Sequence, residues 1–487
     1  MRAAYRVADV RSAEAALLAT VPPGALMARA AAGLARRCGQ LLSERGGRYG
    51  SRAVLLVGPG DNGGDALFAG AELARQGVRV SAVAVVPDRI HAGGLAALRS
   101  AGGRLADEAL SAPCDLVVDG IVGIGGVGPL LGRALALVGA VTAVPASAGG
   151  PVVVAVDLPS GVSADTGDVP GPAVRADVTV TFGCLKPALV VGPAAELAGE
   201  VELVDIGLGP FVRAEPAVRV ADDGDVRSWW PVPGPQSDKY LRGVVALATG
   251  SVTYPGAAVL SVGGAAAGPA GLIRYAGAAR EQVLTRHPQV IAATRVADAG
   301  RAQAWVCGSG LGSGARAIAD LRAVLATPVP VVLDADAIAM LVDGAMAELL
   351  RARRAPLVLT PHDGEFARLA GAPPGADRVG AALRLAAWTN AVVLLKGSRT
   401  IVASPDGQAW ANATGCAALA TAGAGDVLAG LLGSLLAAGL PPVRAAVAAA
   451  YAHGLAGRAA ARVGAVTATD LVTALPTVTG SLTAPCR

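Results

Sequence analysis

The chain has 487 residues, 53% of them apolar, which is enough for two or three domains with large buried cores. A formal net charge of +4 with no basic run argues against a nucleic-acid-binding protein. The mean hydropathy of +0.52 comes from Ala and Val broken by Gly, Pro and Arg, and the longest apolar run, Val427–Leu440, is shorter than the roughly 20 residues of a membrane span.

The cysteines and the N-terminus are typical of a cytoplasmic protein. The six cysteines are far apart and form no C-x-x-C pair, so neither a disulfide framework nor a zinc site is predicted. No apolar segment of a secretory signal follows Met1–Arg6. We therefore expect a cytoplasmic homo-oligomer that acts on small molecules and binds neither nucleic acid nor a membrane.

Lysine is rare in this chain. Of the 41 basic residues Lys plus Arg, the only lysines are Lys186, Lys239 and Lys396. The composition has drifted from Lys to Arg, so a retained lysine indicates a position that needs a compact, rotatable ammonium. Lys186 and Lys396 lie in the motifs described below, and Lys239 enters the first strand of the second half.

The first half of the chain alternates predicted strands and helices. Ser12–Arg37 is predicted to be one helix, Ala53–Gly58 a buried parallel strand, and Ala66–Gln76 the next helix. Further short apolar runs predict strands at Val78–Val86, Leu116–Asp119, Val152–Asp157, Val178–Phe182 and Val201–Ile206. This βαβ rhythm predicts an α/β fold, a three-layer αβα sandwich with a mostly parallel sheet.

A polar, Pro-rich stretch at Asp222–Asp238 interrupts the rhythm. We place a domain linker near Arg213–Asp225, which gives domains at 1–215 and 225–487. Trp229 and Trp230 are predicted to pack between the domains rather than to bind a ligand.

The rhythm restarts after this linker. Strands are predicted at Gly243–Ala248, Ala304–Cys307, Val329–Leu333, Pro356–Leu359 and Ala391–Leu395. Thr400–Ala403 and Gln408–Ala411 are predicted to form a hairpin around Pro405-Asp406-Gly407. The second half is therefore a second α/β domain.

Acidic and glycine-rich segments follow four predicted strands of the first half. Gly58–Asp65 lies between a strand and a helix, Asp119 and Asp157 each end a strand, and Lys186 comes just after a fourth. Each feature alone is explained by an ordinary turn or a loop cap. Because such strand ends meet at one crevice of an open α/β sheet, the four together favour a ligand site.

These motifs resemble one enzyme family in combination. Most of residues 1–210 is similar to the NAD(P)H-hydrate epimerase domain, on the segments Leu26–Ala31, Gly58–Asp65, Val118–Gly125, Val156–Gly161 and Phe182–Pro187. The resemblance implies a Rossmann-like sandwich, a K⁺ ion at Asn62, Asp119 and Ser160, and catalytic residues Asp157 and Lys186. It also implies that the hydrated nicotinamide nucleotide lies along Asp61, Asn62, Gly63, Gly64, Asp65, Gly123, Ile124, Gly125, Gly126, Val127, Gly128, Pro129 and Asp157.

Two positions depart from that family's usual pattern. Asp61 replaces the first Asn of Asn-Asn-Gly-Gly-Asp, and Ile124 replaces the Thr of Gly-Thr-Gly-Leu. These changes leave open a second interpretation, in which the first half is a nucleotide-binding module without catalysis.

The segment Ala420–Asp426 is the centre of the second half. Its small residues leave backbone N–H groups bare, and the helix that follows adds its own N–H groups and the positive end of its dipole. Such a site suits a phosphate, and Asp426 at its edge can act as a base toward a substrate hydroxyl. Taken alone, the segment is better explained as an ordinary helix start with Asp426 as cap, and it is the other segments of this half that favour a ligand site.

Other polar segments of this half also follow strands. They are Gly308–Gly312, Asp334 with Asp336, Thr360–Phe366 with His362, Lys396–Thr400 and Asn412–Gly415. Together with Ala420–Asp426 they resemble the ADP-dependent NAD(P)H-hydrate dehydratase domain, which has a ribokinase-like fold, over about residues 235–475. The family's usual Pro is Ser309 here, and its usual Thr-Gly-Gly is Thr421-Ala422-Gly423.

That second resemblance implies two neighbouring binding sites. The adenine nucleotide would contact Lys396, Gly397, Ser398, Arg399, Thr400 and Gly425, and the hydrated cofactor would contact Ala257, Gly310, His362 and Asp426. Asp426 would be the catalytic base, and Mg²⁺ would accompany ADP, the co-substrate.

The two resemblances together imply a bifunctional repair enzyme for hydrated NAD(P)H. The N-terminal domain would interconvert the R and S epimers. The C-terminal domain would dehydrate the S epimer at the expense of ADP, giving AMP and phosphate, because phosphoryl transfer turns a poor leaving group into a good one. The alternative is a ribokinase-like small-molecule kinase fused to a non-catalytic nucleotide-binding domain.

Overall fold

The computed structural model describes residues 1–107, 113–126, 128–142, 149–342, 346, 348–350 and 353–483. The chain divides into two compact units. The N-terminal unit is Ala3–Ala217, and the C-terminal unit is Val218–Arg487 together with Met1–Arg2. A short strand, β1 (Arg2–Ala4), begins the chain.

The N-terminal unit is built on a fully parallel sheet. Its strands are β2 (Arg52–Val57), β3 (Arg79–Ala84), β4 (Arg104–Leu105), β5 (Leu116–Gly120), β6 (Val152–Val156), β7 (Val178–Phe182) and β8 (Glu200–Val204), in the spatial order β4-β3-β2-β5-β6-β7-β8. Its helices are α1 (Val7–Leu18), α2 (Ala25–Glu44), α3 (Asp61–Arg75), α4 (Ala92–Ser100), α5 (Gly132–Thr142) and α6 (Ala194–Leu197). The strand order reverses between β2 and β5, so the ends of these two strands open a crevice.

One predicted helix is two helices in the structure. The expected Ser12–Arg37 helix is interrupted between Leu18 and Ala25, where Pro22-Pro23 removes two backbone donors and Gly24 has a φ of 80°. The prediction was wrong there because apolar spacing continues across the prolines. The break places a short loop beside the mouth of a cavity described below.

The C-terminal unit has a mixed sheet. Its strands are β9 (Val218–Val220), β10 (Val244–Ala248), β11 (Leu272–Ala276), β12 (Ile291–Ala293), β13 (Ala304–Cys307), β14 (Val331–Leu333), β15 (Leu357–Leu359), β16 (Val392–Leu395), β17 (Ile401–Ala403) and β18 (Ala409–Ala411). The spatial order is β9-β18-β17-β16-β15-β14-β13-β10-β11-β12. All these pairings are parallel except β16–β17 and β17–β18, which confirms the predicted hairpin.

Helices cover the sheet of this unit. They are α7 (Asp223–Trp229), α8 (Pro255–Ala266), α9 (Arg280–Arg286), α10 (Ala315–Leu325), α11 (Asp336–Met340), α12 (Asp363–Ala370), α13 (Arg378–Thr389), α14 (Ala424–Ala437), α15 (Pro442–Ala461) and α16 (Ala468–Thr483). Helix α14 is buried over nearly its whole length and packs on α8 and α15. None of the described helices is long and apolar enough to cross a membrane.

The two tryptophans of the polar stretch pack inside the C-terminal unit. Trp230 is buried in its core, and Trp229 meets Trp410 edge to face at 5.6 Å, with Arg444 over its ring. The sequence had placed them between the domains. The helix that carries them, α7, was missed because its Asp222–Asp225 capping box lies in a segment whose composition resembles a linker.

Candidate functional site

The crevice of the N-terminal unit is shaped by glycine. A Cβ at Gly58 would lie 1.8 Å from the Ile121 carbonyl oxygen, and one at Gly63 would lie 2.1 Å from the Gly58 carbonyl oxygen. The loop after β2 can therefore approach the loop after β5 this closely only because glycine has no side chain at these positions. Helix α3 starts at Asp61, so its unpaired N–H groups face the same crevice.

The three residues predicted to hold K⁺ lie around this crevice. Asp119 is fully buried and accepts hydrogen bonds from the Ser160 hydroxyl at 2.7 Å and the Ser160 N–H at 2.8 Å. The Asn62 amide donates to the Val156 carbonyl at 2.7 Å, and a Cβ at Gly123 would lie 2.3 Å from its Oδ1. Burial raises the pKa of Asp119 to about 6, since no Lys or Arg among the described residues pairs with it. A buried carboxylate without a basic partner, next to the Ser160 hydroxyl oxygen, fits a monovalent cation.

Asp157 and Lys186 form a second buried group. The Lys186 ammonium, 1% exposed, donates to Asp157 Oδ1, to Thr181 Oγ1 at 3.0 Å and to the Phe182 carbonyl at 3.1 Å. Thr181 Oγ1 also donates to Asp157 at 2.9 Å. Asp157 has a φ of 66°, a left-handed conformation that a non-glycine residue adopts at a cost of about 1–3 kcal/mol. The strained backbone aims this carboxylate at Lys186, as a functional residue would require.

The remaining residues predicted for the first site line the same region. Asp61 and Asp65 line a cavity of about 890 Å³, and a Cβ at Gly64 would meet Met27 and His91 of its wall. In the loop after β5, Ile124 packs on the apolar core. The Gly126 N–H donates to the Gly123 carbonyl at 3.0 Å, and Gly125 lies beside Arg11. Gly128 has a φ of 76°, Pro129 lies beside Gly171, and Val127 is outside the described residues.

In the C-terminal unit, an ion-pair network joins three strand ends. Lys396, after β16, donates to Asp334 Oδ1 at 2.9 Å and pairs with Glu365 Oε2 at 3.5 Å. Thr360 Oγ1 donates to Asp334 at 2.7 Å, and Ser309 Oγ donates to its other oxygen at 2.8 Å. Burial by itself would raise the pKa of Asp334, but Lys396 and the two hydroxyls outweigh it and hold that pKa below its usual value. Asp334 is thus an anion at neutral pH.

The helix start predicted to bind phosphate lies beside this network. Helix α14 is preceded by Gly423 with a φ of 86°, and a Cβ at Gly425 would lie 3.3 Å from Lys396 Nζ. Asp426 is in the first turn, where burial and then Asp334 raise its pKa to about 7. The ammonium, the bare N–H groups and a carboxylate that ionises near neutral pH are therefore adjacent.

The strand order of this unit reverses between β10 and β13, and two predicted substrate contacts meet there. Gly310 has a φ of 63°, and a Cβ on it would lie 2.6 Å from the Ala257 Cβ. The structure therefore brings Ala257 and Gly310 together at the crevice where ligands of open α/β sheets bind.

His362 is a helix cap in the structure. Its Nδ1 accepts from the N–H groups of Gly364 at 2.9 Å and Glu365 at 3.3 Å, and Glu365 bonds back to the His362 N–H at 2.8 Å. Its Nε2 lies 3.3 Å from Glu365 Oε1, but the side chain is 54% exposed, so the exposed part of the ring can meet a ligand.

The predicted nucleotide loop packs on the loop after β18. Thr400 Oγ1 donates to the Gly397 carbonyl at 3.1 Å, Arg399 reaches the Ala413 carbonyl at 3.5 Å, and a Cβ at Gly415 would lie 2.3 Å from the Ser398 carbonyl oxygen. The loop is thus held close to Lys396 and the start of α14.

Comparison with known proteins finds a matching family for each of the two units. The family described as NAD(P)H-hydrate dehydratase matches residues 245–477, and the family described as YjeF-related protein N-terminus matches residues 23–188. A bifunctional NAD(P)H-hydrate repair enzyme of Mycobacterium tuberculosis is 51% identical over 447 residues, which are 92% of this chain and 91% of the relative. The chain belongs to the family of bifunctional NAD(P)H-hydrate repair enzymes.

Two solved structures are similar to the C-terminal unit and agree with this family. The ADP/ATP-dependent NAD(P)H-hydrate dehydratase of Bacillus subtilis, co-crystallised with ATP/Mg²⁺, is 29% identical with a TM-score of 0.50, covering 54% of this chain and 99% of that chain. A ribokinase-like superfamily protein of Enterococcus faecalis is 26% identical with a TM-score of 0.50, covering 56% and 99%. The predicted α/β fold, Rossmann-like and then ribokinase-like, is confirmed.

Three residues of the family member's C-terminal site were missed by sequence reasoning. Arg378 bonds Asp363 through both guanidinium nitrogens at 2.8 Å and donates to the Lys396 carbonyl at 3.0 Å. Glu365 is the second anion on Lys396. His453 is buried on α15 with no partner for Nε2 among the described residues, and burial lowers its pKa to about 4. An Arg or His inside an otherwise ordinary helix carries no local signal of such a role.

Proposed function

We propose that this chain repairs hydrated NAD(P)H, with epimerisation in the N-terminal unit and ADP-dependent dehydration of the S epimer in the C-terminal unit. One arrangement carries the proposal: Asp426 lies in the first turn of α14 next to Gly425, where a Cβ would be only 3.3 Å from Lys396 Nζ. A base, a phosphate-binding helix start and a cation in one place suit phosphoryl transfer to a hydroxyl, which is mainly positioning and electrostatics.

The dehydration follows from these groups. Asp426 accepts the proton of the ring hydroxyl while the hydroxyl oxygen bonds the terminal phosphorus of ADP and AMP leaves. Lys396 and the N–H groups of Gly423–Gly425 balance the charge of the transferred group. The phosphate then departs with the electrons of the C–O bond. The neighbouring ring carbon loses its proton to solvent, and the electrons of that C–H bond form the ring double bond, which yields NAD(P)H.

The proposal assigns each of the other site residues to one of the two ligands. Lys396, Gly397, Ser398, Arg399, Thr400 and Gly425 bind the nucleotide, and Ala257, Gly310, His362 and Asp426 bind the hydrate. The described residues hold no group of three His, Cys, Asp or Glu side chains suited to a metal. Mg²⁺ would be held mainly by the nucleotide phosphates and its own waters, as this ion commonly is, and would supply charge neutralisation there.

In the N-terminal unit, Asn62, Asp119 and Ser160 would hold K⁺, which compensates the buried Asp119. Asp157 and Lys186 are the proposed catalytic pair. The substrate lies along Asp61–Asp65 and the loop from Gly123 to Pro129.

The domain bounds 1–215 and 225–487, the homo-oligomer and the cytoplasmic location stay predictions.

The alternative, a small-molecule kinase fused to a non-catalytic module, is not favoured by the relatives. It predicts a stable phosphorylated product, whereas repair restores the absorbance of reduced nicotinamide. The assay is hydrated NADH of mixed epimers with ADP and Mg²⁺, followed at that wavelength. We expect a fast phase for one epimer and a slower, K⁺-dependent phase for the other.

Asp426→Asn tests the base. It should lower the fast phase by about 10²–10⁴-fold with ADP affinity nearly unchanged, because the shape is kept and the base is lost. The exposed Asp298→Asn in the same unit is the matched control. Wild-type turnover by Asp426→Asn, or accumulation of a phosphorylated product by the parent, would refute the proposal.

A further inference from the structure

The cavity of the N-terminal unit has an acidic wall. Its lining includes Glu14, Asp61 and Asp65, together with the aromatic rings of Phe68 and Phe182. A cavity of about 890 Å³ is large enough for a substantial part of a dinucleotide. The lining also includes Glu72, which pairs with Arg75 at 3.0 Å, so four carboxyl groups and one guanidinium border a cavity for a ligand that carries phosphates. This excess of carboxyl groups needs a specific chemical reason.

Asp65 differs from its neighbours on this wall. It is 7% exposed, it lies in the second turn of α3, and its Oδ1 has no hydrogen-bond partner among the described residues. A buried polar atom without a partner costs about 1–3 kcal/mol, so it is seldom retained without use. In Asp157, by contrast, Oδ1 is occupied by Lys186 and Thr181.

We propose that Asp65 is the proton donor of the epimerisation, with Asp157, which is paired with the Lys186 ammonium, as the proton acceptor. This inference rests on the proposed function, since it needs a ring hydroxyl in the cavity. Two carboxyl groups in different surroundings, one buried without a partner at Oδ1 and one bonded to an ammonium, can act as an acid–base pair.

The chemistry balances with these two groups. Asp65 gives its proton to the ring hydroxyl, the C–O bond breaks with its electron pair on oxygen, and water leaves. The ring nitrogen's electron pair stabilises the cation that remains. Water then adds to the opposite face, the new C–O bond forms from its electron pair, and its surplus proton goes to Asp157. Solvent returns the pair to its starting protonation.

The charged groups around Asp65 support this assignment. Burial first, then Asp157, Asp61 and Glu14, raise the pKa of Asp65 to about 8, and the Lys186 ammonium is committed to Asp157. His91, across the cavity, uses Nδ1 to accept from Gly94 N–H at 3.0 Å and so caps α4. Asp65 therefore holds its proton at pH 7, and epimerisation should fall as pH rises through about 8 because the acid form is lost.

The test is Asp65→Asn in the full-length protein, with the exposed Asp88→Asn as matched control. Both phases of the repair assay are recorded over a pH series, after subtraction of the spontaneous epimerisation. We expect Asp65→Asn to leave the fast phase unchanged, to slow the second phase by about 10²–10⁴-fold in kcat with little change in KM, and to abolish the alkaline fall.

The outcomes separate the two proposals. Loss of the fast phase in the parent protein would refute the proposed function. A normal fast phase with an undiminished second phase in Asp65→Asn, or a raised KM alone, would refute only the role of Asp65. Should this variant unfold, the parent protein decides: a second phase that does not fall between pH 7 and 9 overturns the proposal.

Discussion

Lys396 Nζ lies 2.9 Å from Asp334 Oδ1, and this pair links the strand ends of the C-terminal site to the start of α14. The ammonium is already compensated by Asp334 and Glu365 before any nucleotide arrives. Its Nζ would lie 3.3 Å from a Cβ at Gly425, so a compact group fits beside this turn and a larger one does not. The retention of lysine in an arginine-rich chain is explained by this limited space.

Lys396→Arg should therefore weaken ADP binding. The planar guanidinium cannot hold Asp334 and Glu365 and still leave the turn at Gly425 open, so we expect the ADP dissociation constant to rise by about tenfold, or about 1.4 kcal/mol. Titration calorimetry with ADP and Mg²⁺ measures it, and the exposed Lys239→Arg is the control. Superimposable titrations of the two variants would mean that the lysine is retained for another reason.

Ser309→Ala should change the pH dependence of dehydration. The base is active when ionised, so the fast phase should fall as pH drops below the Asp426 pKa of about 7. The hydrogen bond from Ser309 lowers that pKa against burial, and its loss should move the acidic limb of the kcat profile to higher pH. An unshifted limb would show that Ser309 serves only Asp334, 2.8 Å away.

The two roles of His362 are separable. His362→Ala removes the cap of α12 and should cost about 1 kcal/mol in the free energy of unfolding, whereas His362→Asn keeps a capping acceptor and most of the stability. If the exposed part of the ring contacts the hydrate, both variants should raise its KM. A wild-type KM in His362→Asn would leave the histidine a cap alone.

The C-terminal unit should fold by itself when it begins at Val218. A fragment from Asp225 lacks β9, whose Val218 and Val220 are buried, and lacks the cap Asp222, so it should be less stable by about 3 kcal/mol or more in urea unfolding. The fragment from Val218 should consume one epimer, and the fragment Ala3–Ala217 added in trans should allow consumption of the other. Equal urea midpoints would argue against a structural role for β9.

Much of this architecture could be predicted from the sequence, because buried parallel strands stand out as short continuous apolar runs. Arg52–Val57 and Val392–Leu395 are of this kind, and polar residues directly after them were correctly placed at strand ends. The hairpin could also be predicted, because Pro405, Asp406 and Gly407 are residues that favour a turn.

The rest depends on tertiary contacts that no local pattern records. The break at Pro22-Pro23 was hidden by apolar spacing on both sides, and α7 by its polar composition. The missing partner of Asp65 and the pairing of Glu365 with Lys396 arise only when distant segments meet. Their roles could therefore be proposed only from the folded chain.

The scarcity of lysine also gives this protein a simple chemical footprint. An amine-acylating reagent has the three lysines and the N-terminal amine to modify, and their accessibilities differ widely. Lys239 is exposed, the Lys396 side chain is 20% exposed, and Lys186 is sealed at 1%. Mass spectrometry of the labelled chain would thus read nucleotide occupancy from Lys396 and the opening of the N-terminal unit from Lys186, with Lys239 as an internal standard.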